Sequence, residues 1–371
     1  DFYHFNFSVT SDKADLTAAW LRDLSDGYIY FDKDIYRRIP GPIIVEEIKS
    51  IKSNKAAIET NFRTKPFYIG ISEKKGESLP VFKWDNKETN SLHRTSLYKS
   101  HIELGATIIP FAGWEMPVWY SSVVEEHLAT RKAAGLFDVS HMGVFQAEGP
   151  DACVFLDSVC ANDIGSLSVG ESCYTHFLDP YANVIDDSLV YRHGVEEYLI
   201  VVNASNDTKD WLWFNAVKNG KVLVDLNRPW SLAFGRKVNL RNLRDPKEGK
   251  DMRVDLAIQG PKSKEILLSL NWDTKNRRNI NHLKRTQLCK AKLGSTNLII
   301  SRTGYTGEKI AFELFVHPKM APLLWKMLLD KGKALGLKPC GLGARDSLRT
   351  AAGIPLYGHE MGGELNLGVG E

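Results

Sequence analysis

Three runs of residues in the middle of the chain decide the fold class: SCYTHFL (172–178), VIDDSLVYR (184–192) and EYLIVVNAS (197–205). Apolar and polar residues alternate in them with the period of two that is typical of β-strands. The turns that join the runs, DPYAN and HGVE, are short and consist largely of turn-forming residues. The spacing therefore predicts an antiparallel meander of three strands.

The central run carries two adjacent carboxylates, Asp186 and Asp187, in a segment that is otherwise largely apolar. Aspartate is depleted in strands, and an ionised carboxylate is costly to bury without a partner. Because side chains alternate between the two faces of a strand, the two acids cannot serve the same site.

The register of the first two strands decides which acid has polar neighbours. If the turn pairs Leu178 with Val184, Tyr174 and His176 lie on the face of Asp186, and the three side chains predict a small-molecule site. The alternative is that both aspartates lie near a strand end or edge, solvated or bonded to backbone groups. A one-residue slip in register would exchange the faces.

Composition narrows the class of protein. A chain of 371 residues with a formal net charge of +3 predicts two or three domains. Lys and Arg are spread along the chain, which argues against a nucleic-acid binder, and no apolar run approaches the ~18 residues of a membrane span. Five cysteines, without CxxC spacing, argue against disulfides and a zinc site and favour an intracellular protein. The first residues do not resemble a signal peptide.

Residues 1–92 differ in texture from the remainder. They contain one predicted helix at Ala14–Leu24 and a second at Ile43–Ile51, followed by the Lys-rich stretch 73–91. This stretch lacks the periodicity of a packed element and is predicted to be a linker. The sequence therefore predicts an N-terminal extension with a linker (1–92) and a second region at 93–371.

The second region mixes strands and helices without regular βαβ alternation, which favours an α+β fold. The stretch FDVSHMGVFQAEG (137–149) is predicted to be one strand. Further predicted strands are contained in VDLAIQ and in TNLIIS and AFELFV, and further predicted helices in SSVVEEHLATRK, DACVFLDSVC, PKSKEILLSL, MAPLLWKMLLDKGKALG and ARDSLRTAAG.

Two other stretches carry candidate side chains. Glu313 stands in the apolar strand FELFV and raises the same burial problem as Asp186. In CGLGARDSLR, Arg345 and Arg349 share a helix face and could act as forks for a ligand carboxylate; the alternative is a surface salt bridge between Asp346 and Arg349. The GYTGE loop (304–308) suits either close backbone approach or a plain hairpin turn. The absence of GxSxG, HExxH and Cys/His clusters argues against serine hydrolases and zinc enzymes.

The motifs are more informative in their order along the chain than singly. This order resembles the aminomethyltransferase, or T-protein, family of the glycine cleavage system, from about His93 to the last residue. The motifs are RTSLYKSHIELGATIIPFAGWEMPVWY, RKAAGLFDVSHMG, VIDDSLVY, VVNAS, AIQGP, GYTGE, CGLGARDSLR and AGIPLYGHEM. The resemblance implies a cloverleaf of antiparallel, partly ferredoxin-like domains around a central folate channel, with two interleaved subdomains in 93–371. The family's C-terminal barrel is expected to be missing from this chain.

The resemblance also implies an activity. Members of the family take an aminomethyl group from the lipoyl arm of the H-protein, pass it to tetrahydrofolate and release ammonia. The chain is accordingly expected to be an enzyme with tetrahydrofolate as acceptor and the lipoylated H-protein as partner, without nucleic-acid or membrane partners. A cytoplasmic location is expected, or the mitochondrial matrix in a eukaryote. The alternatives are another folate-dependent demethylase or one-carbon transferase on this scaffold, and a non-catalytic folate-binding regulatory protein.

The site residues follow from the same resemblance. The first aspartate of the family's IDD motif, to which the family assigns catalysis, matches Asp186, and no metal ligands are implied. Folate contacts are expected from six residues: Met142, Tyr174, Asn203, Tyr305, Glu313 and Arg349. The chain departs from the family pattern at GYTGEKIAFE, which has one extra residue, and at Ala182-Asn183, where the family has two glycines.

Overall fold

The structure, a computed structural model, describes residues 7, 9–25, 44–46, 77–84, 91–226 and 228–362. The chain divides into two compact units, Asp1–Lys74 and Lys75–Glu371. In the first unit, helix α1 (Ala14–Ser25) confirms the helix predicted at Ala14–Leu24. The helix predicted at Ile43–Ile51 lies mostly outside the described residues, and 44–46 have no regular structure.

The described part of the second unit is built of alternating groups of helices and strands. Its helices are α2 (Tyr98–Glu103), α3 (Val123–Lys132), α4 (Ala152–Val159), α5 (Asp207–Lys218), α6 (Ser263–Leu268), α7 (Thr274–His282), α8 (Ala321–Gly332) and α9 (Leu342–Ala351). Its strands are β1 (His93–Arg94), β2 (Thr107–Phe111), β3 (Trp114–Trp119), β4 (Ala134–Asp138), β5 (Gly143–Glu148), β6 (Glu171–Leu178), β7 (Val184–Gly194), β8 (Glu197–Val202), β9 (Asn239–Asn242), β10 (Val254–Gln259), β11 (Leu288–Leu293), β12 (Thr296–Ser301), β13 (Ala311–Val316) and β14 (Leu337–Cys340). Among the described residues, no helix is long and apolar enough to cross a membrane.

The strands form three sheets. The orders are β1-β3-β2, β11-β12-β13-β10-β4-β14 and β6-β7-β8-β5-β9, and most of the pairs are antiparallel. The meander predicted from 172–205 is confirmed as β6, β7 and β8. The mixed α+β class is likewise confirmed.

The two larger sheets face each other. Side chains from both inner faces form a shared buried cluster, with Val144 and Leu199 from the five-stranded sheet and Ile299 and Phe315 from the six-stranded sheet. Helices cover the outer faces: α4 and α5 pack on the five-stranded sheet, and α6, α7 and α8 pack on the six-stranded sheet. The central strands β8, β10 and β13 are therefore buried on both sides, as their nearly continuous apolar sequences require.

The stretch predicted to be one strand, 137–149, is instead divided between the two sheets. Strand β4 belongs to the six-stranded sheet and β5 to the five-stranded sheet. The segment Val139–Met142 crosses from one sheet to the other and brings Met142 against the apolar cluster between them.

The β6–β7 hairpin contains an irregularity that controls the side-chain faces. Leu178 pairs with Val184 as predicted, but Phe177 pairs with Asp186, so Ile185 is an extra residue on β7. Such a bulge exchanges the faces of all residues beyond it. The turn before it holds Ala182 at φ 66°, a left-handed conformation that glycine adopts more easily.

Part of the stretch predicted to be a linker is packed on the second unit. The Leu79 N–H donates to the Pro229 carbonyl (2.8 Å), and the Leu223 N–H donates to the Pro80 carbonyl (2.8 Å). Phe82 packs against the apolar cluster under the five-stranded sheet. Low periodicity misled the prediction because this segment is held by backbone bonds and one aromatic anchor rather than by a periodic face.

Candidate functional site

A direct hydrogen bond joins the inner faces of the two sheets. Tyr191 on β7 donates from Oη to the Glu313 carboxylate on β13 at 2.7 Å, and both residues are buried. Thr303 also donates to Glu313. Residues four apart on a strand share a face, so the row Asp187, Leu189 and Tyr191 lies on the side of β7 that looks toward Glu313.

Asp187 is the acid of the central pair on this inner face. Its carboxylate accepts hydrogen bonds from Tyr174 Oη (2.9 Å) and from the side-chain amide of Asn203 (2.7 Å). It is half-buried. Burial, and then the neighbouring Asp186 charge, raises the pKa of Asp187 above its ordinary value. A partly accessible carboxylate with a raised pKa is suited to accept a proton from a ligand.

Asp186 lies on the other face of β7, completely buried on the side of α5. It accepts hydrogen bonds from the Asn203 N–H (3.0 Å) and from the side-chain amides of Asn203 (2.9 Å) and Asn206 (2.6 Å). The prediction that Asp186 shares a face with Tyr174 and His176 is wrong, because the bulge places these side chains beside Asp187. The catalytic role expected of Asp186 came from the family's IDD motif rather than from that face, and it stays a prediction.

Asn203 connects the two acids. Its side-chain amide nitrogen lies 2.9 Å from Asp186 Oδ1 and 2.7 Å from Asp187 Oδ1. The predicted site residue is therefore beside the acids, but its amide protons are directed to them.

Met142 lies where the crossing segment enters the space between the sheets, half-buried against apolar clusters of both sheets. Arg244 fixes this segment by donating to the carbonyls of His141 (2.8 Å) and Met142 (2.6 Å), and its guanidinium stacks on Trp114 at 4.4 Å. The position of Met142 is thus held by backbone contacts, which leaves its side chain able to line a site.

Tyr305 and Arg345 form a second aromatic–cation pair, with the guanidinium 4.5 Å from the ring centroid. The Tyr305 N–H donates to the side chain of Gln259 (3.1 Å), and its Oη donates to the Pro355 carbonyl. Burial raises the pKa of Tyr305 to about 12; the charges of Arg345 and Arg349 oppose this shift, and the Asp187 carboxylate adds to it. Tyr305 therefore belongs to the same electrostatic neighbourhood as Asp187.

Arg345 carries a buried donor without a partner. Its Nη1 makes no hydrogen bond within the described ranges, although the charges of Glu313 and Asp255 act on it. The Asp255 pKa is raised well above its ordinary value by burial and then by Glu313. A buried guanidinium proton without an acceptor is costly and indicates a place for a ligand oxygen.

The charge of Arg349 also acts on Tyr305, but the donors of Arg349 are engaged elsewhere. Arg349 donates to Asp346 (2.8 Å), to Glu360 (2.6 Å) and to the Ile354 carbonyl (3.3 Å). These partners tie the end of α9 to the segment that follows it. The structure therefore favours the salt-bridge alternative for Arg349.

Tyr191 was not predicted from the sequence to belong to the site, and Arg345 was named only as one of two arginines on the same helix face. Tyr191 shares the Asp187 face by simple alternation, which is a signal visible in the sequence. Arg345 and Arg349 lie on one helix face, and the sequence contained nothing that separated them. Within the part of the chain that the structure describes, no three His, Cys, Asp or Glu side chains converge as metal ligands.

The chain is similar to proteins of known family over most of its length. The family model described as the GCVT N-terminal domain matches residues 97–368. The aminomethyltransferase of Symbiobacterium thermophilum is 43% identical over 278 residues, which are 74% of this chain and 68% of the relative. That of Caldanaerobacter subterraneus subsp. tengcongensis is 41% identical over 276 residues, 74% and 67% of the two chains.

A solved structure agrees with these relatives. The crystal structure of glycine cleavage system aminomethyltransferase T from Bartonella henselae superposes with a TM-score of 0.60 at 32% identity. The match covers 74% of this chain and 66% of that chain. The chain thus spans about two thirds of the length of the relatives it matches.

The relatives and the shared fold together define the class as an enzyme that transfers one-carbon groups. More specifically, the chain belongs to the aminomethyltransferase (GCVT) family of the glycine cleavage system. The predicted family and enzyme class are confirmed. The relatives give no support to the two alternatives, another folate-dependent demethylase and a non-catalytic regulatory protein.

Proposed function

We propose that this chain transfers the aminomethyl group of an aminomethyl-lipoyl carrier, the H-protein, to tetrahydrofolate and releases ammonia. Family membership supports the reaction class. The observation that carries the site assignment is the pairing of acids on the two inner faces: Asp187 on one sheet and Glu313 on the other, with Tyr191 bridging the sheets to Glu313.

Glu313 and Arg345 are proposed to hold the pterin end of the folate. The pyrimidine part of a pterin offers adjacent N–H donors and a carbonyl acceptor. A buried carboxylate matches the donors, and the unpartnered Arg345 Nη1 matches the carbonyl oxygen. Tyr305, stacked on Arg345, supplies a flat surface beside them.

Asp187 is proposed to act on the reacting nitrogens. Folate N5 and then N10 must each form a bond to the aminomethyl carbon as an unprotonated amine, while the bonds of that carbon to sulfur and to nitrogen break. The carbon passes through an iminium-like cation, and the protons lost by N5 and N10 leave with the lipoyl thiol and with ammonia. A carboxylate at this point orients the amine, accepts its proton and stabilises the cation. Burial between the sheets strengthens each of these interactions by lowering the local dielectric.

The remaining predicted residues take supporting places in the proposal. Met142, Tyr174 and Asn203 line the folate site, with Tyr174 and Asn203 acting through their hydrogen bonds to Asp187. Asp186 holds Asn203 from behind the sheet, and Arg349 holds the chain after α9.

The architecture around this site is also proposed in finer detail than the α+β class. We place the two large sheets in a cloverleaf of partly ferredoxin-like subdomains around a folate channel, within 93–371. Residues 1–92 form an N-terminal extension in this proposal, with the exception of the segment 77–84, which is packed on the second unit. The bacterial relatives support a cytoplasmic location.

Two measurements test the function. Titration of the protein with tetrahydrofolate in a calorimeter tests binding, and incubation with aminomethyl-loaded lipoyl H-protein and tetrahydrofolate tests transfer. Formation of methylene-tetrahydrofolate and ammonia in equal amounts is the expected result. Binding without turnover would instead identify a regulatory folate-binding protein, and the absence of both would refute the proposal.

A further inference from the structure

Asp210, on the first turns of α5, is a buried acid that the proposed chemistry does not use. Its side chain is completely shielded from solvent. Neither Oδ1 nor Oδ2 receives a hydrogen bond from any N–H or O–H of the described residues. An ionised carboxylate in this situation would lack both solvent and donors, which is a costly arrangement.

The charged group that acts most strongly on Asp210 is another acid. The Asp210 carboxyl lies within hydrogen-bonding reach of Asp186, which already accepts three N–H bonds from Asn203 and Asn206. Two carboxylates are both acceptors, so their contact requires a proton on one of them. Because the N–H donors converge on Asp186, the proton belongs on Asp210.

The charged groups around Asp210 shift its pKa in opposite directions. Burial, and then Asp186, raises the pKa of Asp210 well above its ordinary value, with a smaller contribution of the same sign from Asp207. Lys209 opposes this shift, but its Nζ is directed to the Ile185 carbonyl (2.6 Å) and the Tyr357 hydroxyl (3.0 Å).

We propose that Asp210 is a neutral carboxylic acid that donates a hydrogen bond to Asp186 and is a positioning residue for Asp187. The connection runs through the Asn203 amide nitrogen, which contacts both Asp186 Oδ1 (2.9 Å) and Asp187 Oδ1 (2.7 Å). This inference rests on the proposed function for its effect on rate, whereas the protonation of Asp210 does not.

The physical reason for such a group is orientation. Asn203 must direct its amide protons to the two carboxylates at once, and this fixes the side of Asp187 that remains for the ligand. The O–H of Asp210 supplies the remaining bond to Asp186 without adding a third negative charge to the cluster. Rotation of Asp186 would move Asn203 and displace the Asp187 oxygen that meets the substrate.

Infrared spectroscopy tests the protonation directly. At neutral pH, the difference spectrum of wild type minus Asp210→Asn is expected to contain the carbonyl stretch of a protonated carboxylic acid. A band from the Asp255 carboxyl is the same in both spectra and cancels in the difference. Asp330→Asn, on the exposed surface of α8, is the matched control and is expected to remove no such band. A wild-type spectrum that loses no protonated-acid band in Asp210→Asn overturns the proposal.

Transfer kinetics test the positioning role. Asp210→Asn keeps a donor toward Asp186 and is expected to retain kcat within about threefold, whereas Asp210→Leu removes the donor and is expected to lower kcat about 10- to 100-fold. Tetrahydrofolate affinity is expected to be unchanged in both variants. Equal kcat values in Asp210→Asn and Asp210→Leu would refute the positioning role. If Asp210→Leu does not fold, a large loss of kcat in Asp210→Asn would refute it instead. Failure of the proposed function is distinct: the wild type would show the infrared band but no transfer.

Discussion

Tyr174 donates a hydrogen bond to Asp187 across the paired strands β6 and β7, at 2.9 Å. This contact assigns the faces of the acid pair. It exists because one extra residue, Ile185, shifts the register after Leu178 and Val184. Asp187 therefore lies on the inner face with the tyrosine, and Asp186 lies behind the sheet with the asparagines.

Replacement of Asp187 by asparagine is expected to lower the transfer rate, whereas replacement of Asp186 is expected to lower stability. Asp187→Asn keeps the shape and removes the proton acceptor, so the transfer rate should fall about 10²–10⁴-fold. Asp186→Asn brings an amide against the donors of Asn203 and Asn206 and should cost about 1–3 kcal/mol of unfolding free energy. Transfer assays and denaturant titrations of both variants check this. Full activity in Asp187→Asn would contradict the assignment.

Tyr174→Phe is expected to move the acidic limb of the pH–rate profile. The limb should lie above the ordinary aspartate pKa of about 3.9, because burial and Asp186 raise the pKa of Asp187. The Tyr174 hydrogen bond opposes that shift, so its removal should raise the pKa further and move the limb to higher pH. Profiles of kcat/KM, which report the pKa values of the free enzyme, give the comparison for both proteins. A limb that moves to lower pH would be inconsistent with the prediction.

The two arginines of α9 are expected to separate binding from stability. Arg345→Met should weaken tetrahydrofolate binding about 10- to 150-fold, the equivalent of one charged hydrogen bond of about 1.5–3 kcal/mol. Arg349→Met is the matched control: it loses its bonds to Asp346 and Glu360 and should lower the thermal midpoint with little change in affinity. Calorimetric affinities and melting curves of both variants measure these effects. If Arg349→Met weakened tetrahydrofolate binding and Arg345→Met did not, Arg349 would be the ligand contact.

The stability of the chain is expected to fall on acidification below about pH 6.5. His141 is buried, and its Nδ1 has no partner among the described residues; burial, followed by Arg345 and Arg244, lowers its pKa to about 3 against the pull of Asp138. The unfolded chain binds this proton near pH 6.5 and the folded chain does not, so stability is lost as pH falls.

His141→Gln should remove this contribution, about 2 kcal/mol between pH 6.5 and pH 5. Urea titrations at the two pH values measure the difference for each protein. His193, whose pKa burial lowers to about 4, is expected to leave a residual slope in the variant. An unchanged slope in His141→Gln would show that the imidazole is already charged in the folded protein.

Two N-terminal deletions are expected to differ. Deletion of 1–74 should leave the thermal midpoint and the folate affinity of the second unit unchanged. Deletion of 1–90 also removes Leu79, Pro80 and Phe82, and should cost about 2 kcal/mol or more from lost backbone bonds and apolar burial. Differential scanning calorimetry compares the two proteins. Equal thermal midpoints would show that residues 77–84 add no stability and act only as a linker.

Several features of the fold followed from local patterns. The period-two alternation in β6, β7 and β8 predicted the meander, and the short turns predicted its order, because both signals lie within the segments themselves. The helices α1, α8 and α9 were visible for the same reason. The order of the motifs identified the family, because that order is a property of the sequence along most of the chain and does not depend on any one contact.

The acid faces, the choice between arginines and the packed segment 77–84 depended on tertiary structure. The bulge at Ile185 changes no local propensity, yet it exchanges Asp186 for Asp187 on the inner face. Arg345 and Arg349 have the same helical spacing, and only the position of Glu360 engages one and leaves the other. The sequence by itself thus determined the elements and the family, whereas the tertiary structure decided which side chains meet, because register and long-range partners are set by packing between segments distant along the chain.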